Sequence, residues 1–279
     1  MGLDPVGEIA DGGEGAGDVD LAQHARRELS RPDEARDDVV LRLARQQAVQ
    51  HEGFDAVECH WPYDVPAEAV KAALEETGLR MLGLNTRRGD VAGGENGLSA
   101  LTGREHDART AIDEAIAYAI AIGTPNIHVM AGFAEGRDAH ETFVENLRYA
   151  CEKAAPYGIT ILIEPLNRYD APGYFLTTTD QALAVIADVG TTNLKLMFDC
   201  YHVQLMEGDL THKLADLLHH IGHIQFASVP DRGPPDTGEV NYDHVFDVIS
   251  SLGYDAPLGA EYKPGRPTME TLDWLNRKN

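Results

Sequence analysis

The stretch ITILIEPLN, residues 159–167, is a short apolar run that ends in a carboxylate, and LKLMFDCYH, residues 194–202, repeats this pattern. Short apolar runs bounded by turn residues are typical of buried β-strands. Glu164 and Asp199 stand where these two strands are expected to end. The two segments lie one strand–helix unit apart, which predicts parallel strands joined by a helix.

Five further runs of the same kind flank this pair. They are FDAVECH (54–60), MLGLNT (81–86), NIHVMAG (126–132), IGHIQFAS (221–228) and GAEYKP (259–264). Apolar residues at helical spacing fill intervening stretches such as 109–122 and 141–157. Glycines, among them Gly78 and Gly123, separate a helix from the next strand. This alternation predicts an α/β fold, in which helices cover a parallel sheet.

The position of the polar residues favours a closed barrel over an open sheet. Nearly every predicted strand ends in a residue able to do chemistry: Glu58, Asn85, Glu164, Asp199, Gln225 and Glu261. In a (β/α)8 TIM barrel these ends converge on one mouth, whereas an open sheet gathers its site at a switch point. No Gly-rich phosphate-binding fingerprint follows an early strand. We therefore expect a single TIM-barrel domain over residues 1–279.

The first of the eight strands is hard to find in the sequence. It should precede a helix at about residues 37–51, but residues 17–40 are charged, and VGEIA (6–10) is a poor strand sequence. We expect the first strand to be atypical or missing, within an N-terminal segment, residues 1–36, that could be loosely ordered. A degenerate strand, an open barrel and an unusual replacement strand all remain open.

Composition and charge limit the partners of this chain. Its formal net charge of -23 repels nucleic acid and anionic membranes. We see no membrane-length apolar run and no signal peptide. The three cysteines, Cys59, Cys151 and Cys200, are scattered and odd in number, which favours a reducing cytoplasm. We expect a cytoplasmic protein without nucleic-acid or membrane partners, and the sequence is compatible with a homo-oligomer.

Four oxygen-bearing residues near the ends of successive strands suggest a metal site. They are Glu164, Asp199, Gln225 and Glu261. Carboxylates brought this close repel one another unless a cation neutralises them, and an all-oxygen set suits Mg²⁺ or Mn²⁺. We expect a divalent metal, with Mg²⁺ preferred. The alternative is that each acid is a separately solvated loop residue.

Four further residues are candidates for binding the substrate. His202 could hydrogen-bond a substrate oxygen, or it could be a structural histidine bonded to a carbonyl. Arg232 lies in a long loop, residues 227–241, and could bind a carboxylate, or it could be a surface charge. Lys263 follows Glu261 by two residues and would face the same side of a strand. Asn85 ends its own strand.

Two acids beside a metal suit the interconversion of a 2-hydroxy aldehyde and a 1-hydroxy ketone. The reaction removes a proton from one carbon and returns it to the neighbouring carbon. A metal would stabilise the charge on the enediolate oxygens between these two steps. The substrate expected from this chemistry is a small hydroxy-carbonyl compound.

At these residues the sequence resembles the hydroxypyruvate isomerase family, within the xylose-isomerase-like TIM barrels. The matching segments are residues 159–177, 193–210, 221–243 and 259–264, with weaker matches from residue 53 onward. The resemblance implies that hydroxypyruvate and tartronate semialdehyde are interconverted. It implies that Glu164 and Glu261 are the acid/base pair, that the four oxygen-bearing residues hold the metal, and that His202 and Arg232 contact the substrate.

The chain also departs from the family pattern. Residues 1–52 do not match the usual first strand, and Ser228, Val229 and Asp231 replace residues common in the family. The sequence therefore leaves three alternatives open. They are an isomerase or epimerase of a related 2-oxo acid or keto sugar, a ligand-binding homologue without turnover, and a zinc enzyme acting on abasic DNA. The negative charge and the oxygen-rich ligand set count against the last one.

Overall fold

The computed structural model describes residues 5–8 and 54–278, whose eight parallel strands form a closed barrel. Each strand pairs with the next one along the chain, and the last pairs with the first. The strands are β1 (Pro5–Glu8), β2 (Ala56–Glu58), β3 (Arg80–Asn85), β4 (Asn126–His128), β5 (Thr160–Ile163), β6 (Leu194–Asp199), β7 (Ile221–Phe226) and β8 (Leu258–Ala260). The prediction of a (β/α)8 TIM barrel is confirmed.

The first strand is short but present. β1 overlaps the VGEIA segment that the sequence ranks as a poor strand, and it pairs with β2 and β8 through Val6↔Ala56 and Val6↔Gly259. Backbone pairing on both sides defines this strand, because its sequence lacks the apolar run that marks the others. The helix expected at about residues 37–51 lies outside the described residues, as does most of the segment 1–36.

The other seven strands lie where the sequence predicts them, but most are shorter. β6 has the predicted bounds, whereas the run 126–132 contributes only the three residues of β4, and the run 259–264 leaves the sheet after Ala260. Apolar sequence continues beyond the point at which the backbone leaves the sheet. Barrel geometry therefore sets the strand ends, and the apolar pattern sets only the strand positions.

Among the described residues, α-helices follow the six strands from β2 to β7, and β6 is followed by two of them. They are α1 (Ala67–Thr77), α2 (Glu105–Ile122), α3 (Gly136–Ala154), α4 (Thr179–Val189), α5 (Cys200–Met206), α6 (Leu210–Leu217) and α7 (Tyr242–Ser251). In α2, the buried residues recur three or four positions apart, which gives the helix one apolar face. Gly78 and Gly123 end α1 and α2 at φ values of 69° and 77°, a left-handed conformation that favours glycine.

Apolar side chains fill the space between the strands and the helices. Ile127, Ile161 and Phe198 on the strands are fully buried, as are Ile112 and Phe143 on α2 and α3. Because helices cover the barrel, strands such as β5 and β6 consist mainly of apolar residues. Polar side chains are concentrated at the strand ends, where the site lies. No helix in the described part of the chain is long and apolar enough to cross a membrane.

Candidate active site

The carboxyl ends of the strands place a set of polar side chains in the mouth of the barrel. These side chains are 6% exposed or less, although charged and amide groups favour water. The buried members are Glu58, His128, Glu164, Asp199 and Gln225. Groups of this kind are stable in a protein interior only when they are paired or when they bind a ligand.

The four predicted metal ligands lie on four adjacent strands. Glu164 directly follows β5, Asp199 ends β6, and Gln225 lies in β7 with its Cα paired to Asp199. Glu261 directly follows β8, and its backbone N–H donates to the carbonyl of Phe226 at the end of β7. Ligand atoms of Glu164, Asp199 and His202 all lie within 4.8 Å of one another.

Crowding and burial shift the acidity of this cluster. Burial, followed by the charges of Glu261 and Asp199, raises the pKa of Glu164 well above its ordinary value. Burial, followed by Glu261, raises the pKa of Asp199 to about 7, although Arg232 opposes the shift. The metal-free site therefore disfavours ionised carboxylates, and a cation bound there would restore them.

Three buried oxygen atoms in the cluster fit a cation. Glu164 Oε1, Asp199 Oδ2 and Gln225 Oε1 are buried, and none accepts a hydrogen bond from a residue that the structure describes. Unsatisfied buried oxygens carry a free-energy penalty. Each atom belongs to a predicted metal ligand, and oxygen donors of this type suit Mg²⁺ or Mn²⁺. The residues present therefore fit a hard divalent cation.

His202 has the geometry of a hydrogen-bond donor. Its Nδ1 accepts from the backbone N–H of Asn167 at 2.9 Å, and the Asn167 side-chain nitrogen lies 2.7 Å away. In the neutral ring this leaves the proton on Nε2, which lies 3.5 Å from Asp199 Oδ2 and 3.8 Å from Glu164 Oε1. Burial, followed by Arg232, lowers the pKa of His202 well below its ordinary value. The ring is therefore neutral, and its Nε2–H points to oxygen atoms.

Arg232 places a positive charge beside the acids. Its Nη2 lies 2.5 Å from Glu261 Oε1 and 3.7 Å from Asp199 Oδ2, and its guanidinium stacks over the Tyr201 ring. The residue adopts φ 53°, an uncommon left-handed conformation for a residue other than glycine. The loop 227–241 therefore holds this side chain in the mouth and does not leave it at the surface.

Sequence reasoning missed two histidines beside the acid pair. His128 Nδ1 lies 3.5 Å from Glu164 Oε2, and His60 Nε2 lies 3.7 Å from Glu261 Oε1. Burial lowers the pKa of His128 to about 3 and also lowers the pKa of His60, so both rings are neutral near pH 7. Their positions at strand ends could have identified them, because His128 ends β4 and His60 follows β2 by two residues.

Two predicted substrate-binding residues, Lys263 and Asn85, contact their neighbours through backbone groups. The Lys263 side chain is exposed, because β8 ends at Ala260 and strand alternation no longer applies. The Lys263 backbone N–H instead donates to the carbonyl of Arg232 at 2.6 Å. Asn85 is buried at the end of β3, where its backbone carbonyl accepts from the Tyr63 hydroxyl.

Known proteins similar to this chain identify its family. Residues 46–278 match the model of the xylose isomerase-like TIM barrels. The chain belongs to this family. It is 46% identical to 2-oxo-tetronate isomerase of Cupriavidus necator, over 84% of this chain and 91% of the relative. It is 43% identical to hydroxypyruvate isomerase of Escherichia coli, over 84% of this chain and 92% of the relative. These relatives confirm the predicted family and the isomerase class.

One relative of known structure is named for a different activity. The protein described as AP endonuclease, family 2, from Brucella melitensis aligns with a TM-score of 0.82 and 40% identity. The alignment covers 85% of this chain and 93% of that protein. The 3-keto-D-glucoside 4-epimerase of E. coli, at 22% identity and a TM-score of 0.72, shares the fold.

Proposed function

We propose that this chain isomerises a small 2-oxo acid with a neighbouring hydroxyl group, and that hydroxypyruvate and tartronate semialdehyde are its substrate pair. The names of the relatives from Cupriavidus necator and E. coli support this substrate class. The observation that carries the proposal is the placement of Glu164 and Glu261 in one mouth, each within 3.7 Å of a histidine nitrogen. Positioned acid and base groups are what proton transfer between adjacent carbons requires.

In this reaction Glu164 and Glu261 divide the proton transfer. One carboxylate removes the proton from the carbon that bears the hydroxyl group, and the electron pair of that C–H bond forms the enediolate double bond. The hydroxyl proton passes to the former carbonyl oxygen, and the opposing carboxyl group protonates the neighbouring carbon, which completes the isomerisation. The two carboxyl groups end with exchanged protonation states, and exchange of protons with solvent restores them. The Nε2–H of His202 donates a hydrogen bond to a substrate oxygen on which negative charge develops.

Glu164, Asp199, Gln225 and Glu261 would hold the divalent cation, with Mg²⁺ preferred and Mn²⁺ as the alternative. When bound, the cation supplies positive charge that stabilises the enediolate oxygens. The three unsatisfied oxygen atoms of Glu164, Asp199 and Gln225 support this assignment. We assign to Arg232 the carboxylate of the substrate, because a guanidinium presents two parallel N–H donors to such a group.

The DNA-cleaving activity named for the Brucella melitensis relative is disfavoured for this chain. The net charge of -23 opposes binding to a phosphate backbone. Three of the four proposed ligands are carboxylates and the fourth is an amide, whereas zinc sites are built mainly from histidine and cysteine. We therefore keep the small-molecule reaction as the proposal.

A substrate panel tests this proposal. Purified protein with Mg²⁺ is offered hydroxypyruvate, 2-oxo-tetronate, a keto hexose and an abasic DNA duplex, and the products are followed by NMR or gel. We expect turnover of hydroxypyruvate or 2-oxo-tetronate at a kcat/KM at least about 100-fold above that for the hexose. Faster turnover of the hexose, cleavage of the duplex, or no turnover of a 2-oxo acid would contradict the proposal.

A further inference from the structure

Glu58 is a buried carboxylate that the proposed proton transfer does not use. It ends β2 and is 4% exposed. Its Oε2 accepts a hydrogen bond from Gln225 Nε2 at 2.9 Å, and its Oε1 lies 2.6 Å from His223 Nε2.

This contact determines which end of the Gln225 amide faces the mouth. A glutamine side chain has an oxygen that accepts and a nitrogen that donates, whereas an ionised carboxylate only accepts. Glu58 can therefore pair only with the nitrogen of Gln225. The oxygen, Oε1, is left on the other side of the amide, buried and without a hydrogen bond from any described residue.

Packing keeps the pair in place. A Cβ atom on Gly259 of β8 would lie 2.8 Å from both Gln225 Cγ and Glu58 Oε2, so this position has room only for glycine. The two side chains thus lie against the backbone of β8. Dense packing of this kind restricts side chains to few rotamers.

We propose that Glu58 is a positioning residue, which turns the amide oxygen of Gln225 toward the cation. The inference rests on the cation site of the proposed function. Without Glu58 the amide could present its NH2 group, which cannot coordinate a metal ion. His223 contributes by occupying the second oxygen of Glu58, which leaves the first for Gln225.

The Glu58→Gln substitution tests the orientation with almost no change in size. His223 would hold the oxygen of the new amide, so that its nitrogen faces Gln225 and requires an acceptor there. Gln225 would then turn its own oxygen toward residue 58 and its NH2 group toward the cation. In the double variant Glu58→Gln/Gln225→Glu, residue 225 accepts that hydrogen bond and still offers an oxygen to the cation.

The measurement is calorimetric titration of chelator-stripped protein with Mn²⁺. We expect Glu58→Gln to weaken Mn²⁺ binding by roughly 10- to 100-fold, as is typical when a partner of a metal ligand is lost. The double variant should regain affinity to within about threefold of the wild type. Glu207→Gln removes a partly buried carboxylate that bonds Thr179 and Lys213 and is not one of the four proposed ligands, and it should bind like the wild type. Circular dichroism monitors folding.

Each outcome has a defined meaning. If the wild type binds Mn²⁺ and Glu58→Gln binds it equally well, the positioning role is overturned and the proposed function stands. Weakened binding without recovery in the double variant would overturn the amide orientation as the cause. Absence of Mn²⁺ binding by the wild type would overturn both this inference and the cation assignment. If Glu58→Gln does not fold, the double variant is compared with the single variant Gln225→Glu. Equal or weaker Mn²⁺ binding by the double variant overturns the inference.

Discussion

At the scale of single residues, Asp199 caps a helix and is also one of the proposed ligands of the cation. Its Oδ1 accepts the backbone N–H of Tyr201 at 2.8 Å and so caps α5, while its Oδ2 accepts no hydrogen bond from the described residues. Asn also caps helices well. The Asp199→Asn substitution therefore removes the buried charge but keeps the cap, which isolates the electrostatic contribution of this side chain.

The stability of the metal-free protein should depend on pH through this residue. The pKa of Asp199 rises from its ordinary value of 3.8 to about 7, so above pH 3.8 the folded state holds a proton that the unfolded state releases. The free energy of unfolding from this group therefore falls as pH rises from about 4 to about 7. Relative to wild type, Asp199→Asn should gain roughly 3 to 4 kcal/mol of stability over this window. Urea unfolding in EDTA measures the gain.

Mn²⁺ provides the control for this prediction. Bound cation neutralises the site, so it should restore the stability of the wild type at pH 8 and have a much smaller effect on Asp199→Asn. A stability difference between the two proteins that stays constant from pH 4 to pH 8 would contradict the buried charge of Asp199.

Arg232 should not be replaceable by lysine. The guanidinium contacts Glu261 and Asp199 and stacks on Tyr201, and lysine offers neither the planar fork nor the same stacking. We expect Arg232→Lys to lower kcat/KM for hydroxypyruvate at least about tenfold. Arg168→Lys, at an exposed arginine in the β5–α4 loop, is the matched control. Equal activity of the two variants would contradict the assigned role of Arg232.

At the scale of elements, the sequence predicts strand positions better than strand ends. The runs around Glu164 and Asp199 are apolar because both faces of β5 and β6 are buried, so these strands are easy to place. β1 has no such run, and only pairing with β2 and β8 identifies it. The pairing of Glu58 with Gln225 joins side chains 167 positions apart, and no local pattern encodes it.

The contrast between local sequence pattern and long-range pairing also explains which site residues the sequence predicts. The positions of Glu164, Asp199, Gln225 and Glu261 at or next to strand ends indicate a common mouth. Lys263 was assigned by strand alternation, which ceases at Ala260. The contacts of His60 and His128 with the acid pair depend on how strands distant in the sequence close into a barrel.

Two glycines on barrel strands give a matched test of packing at the element scale. A Cβ on Gly259 would lie 2.8 Å from Gln225 Cγ, whereas a Cβ on Gly83 in β3 would meet only Glu58 Oε1, at 3.5 Å. We expect Gly259→Ala to reduce the free energy of unfolding by about 1 to 3 kcal/mol and to lower activity. Gly83→Ala should remain close to the wild type. Chemical unfolding measures both, and equal effects would contradict the close packing of β7 against β8.

At the scale of the whole molecule, the net charge of -23 acts on the approach of substrate. A 2-oxo acid is an anion, so the protein repels it at long range, and salt screens this repulsion. We expect kcat/KM for hydroxypyruvate to increase by about twofold as ionic strength rises from about 0.01 M to about 0.15 M at constant Mg²⁺. A fall in kcat/KM over this range would mean that local positive charge, such as that of Arg232, dominates the approach.

The acid/base pair is the central claim, and the kcat of Glu164→Gln and Glu261→Gln tests it most directly. Both variants, with Glu152→Gln at an exposed position on α3 as control, are assayed for isomerisation of hydroxypyruvate and 2-oxo-tetronate with saturating Mg²⁺. Loss of a proton-transferring group should lower kcat by about 100- to 10,000-fold in each of the two variants, while the control retains wild-type activity. A kcat within about threefold of wild type in either folded variant would contradict the account.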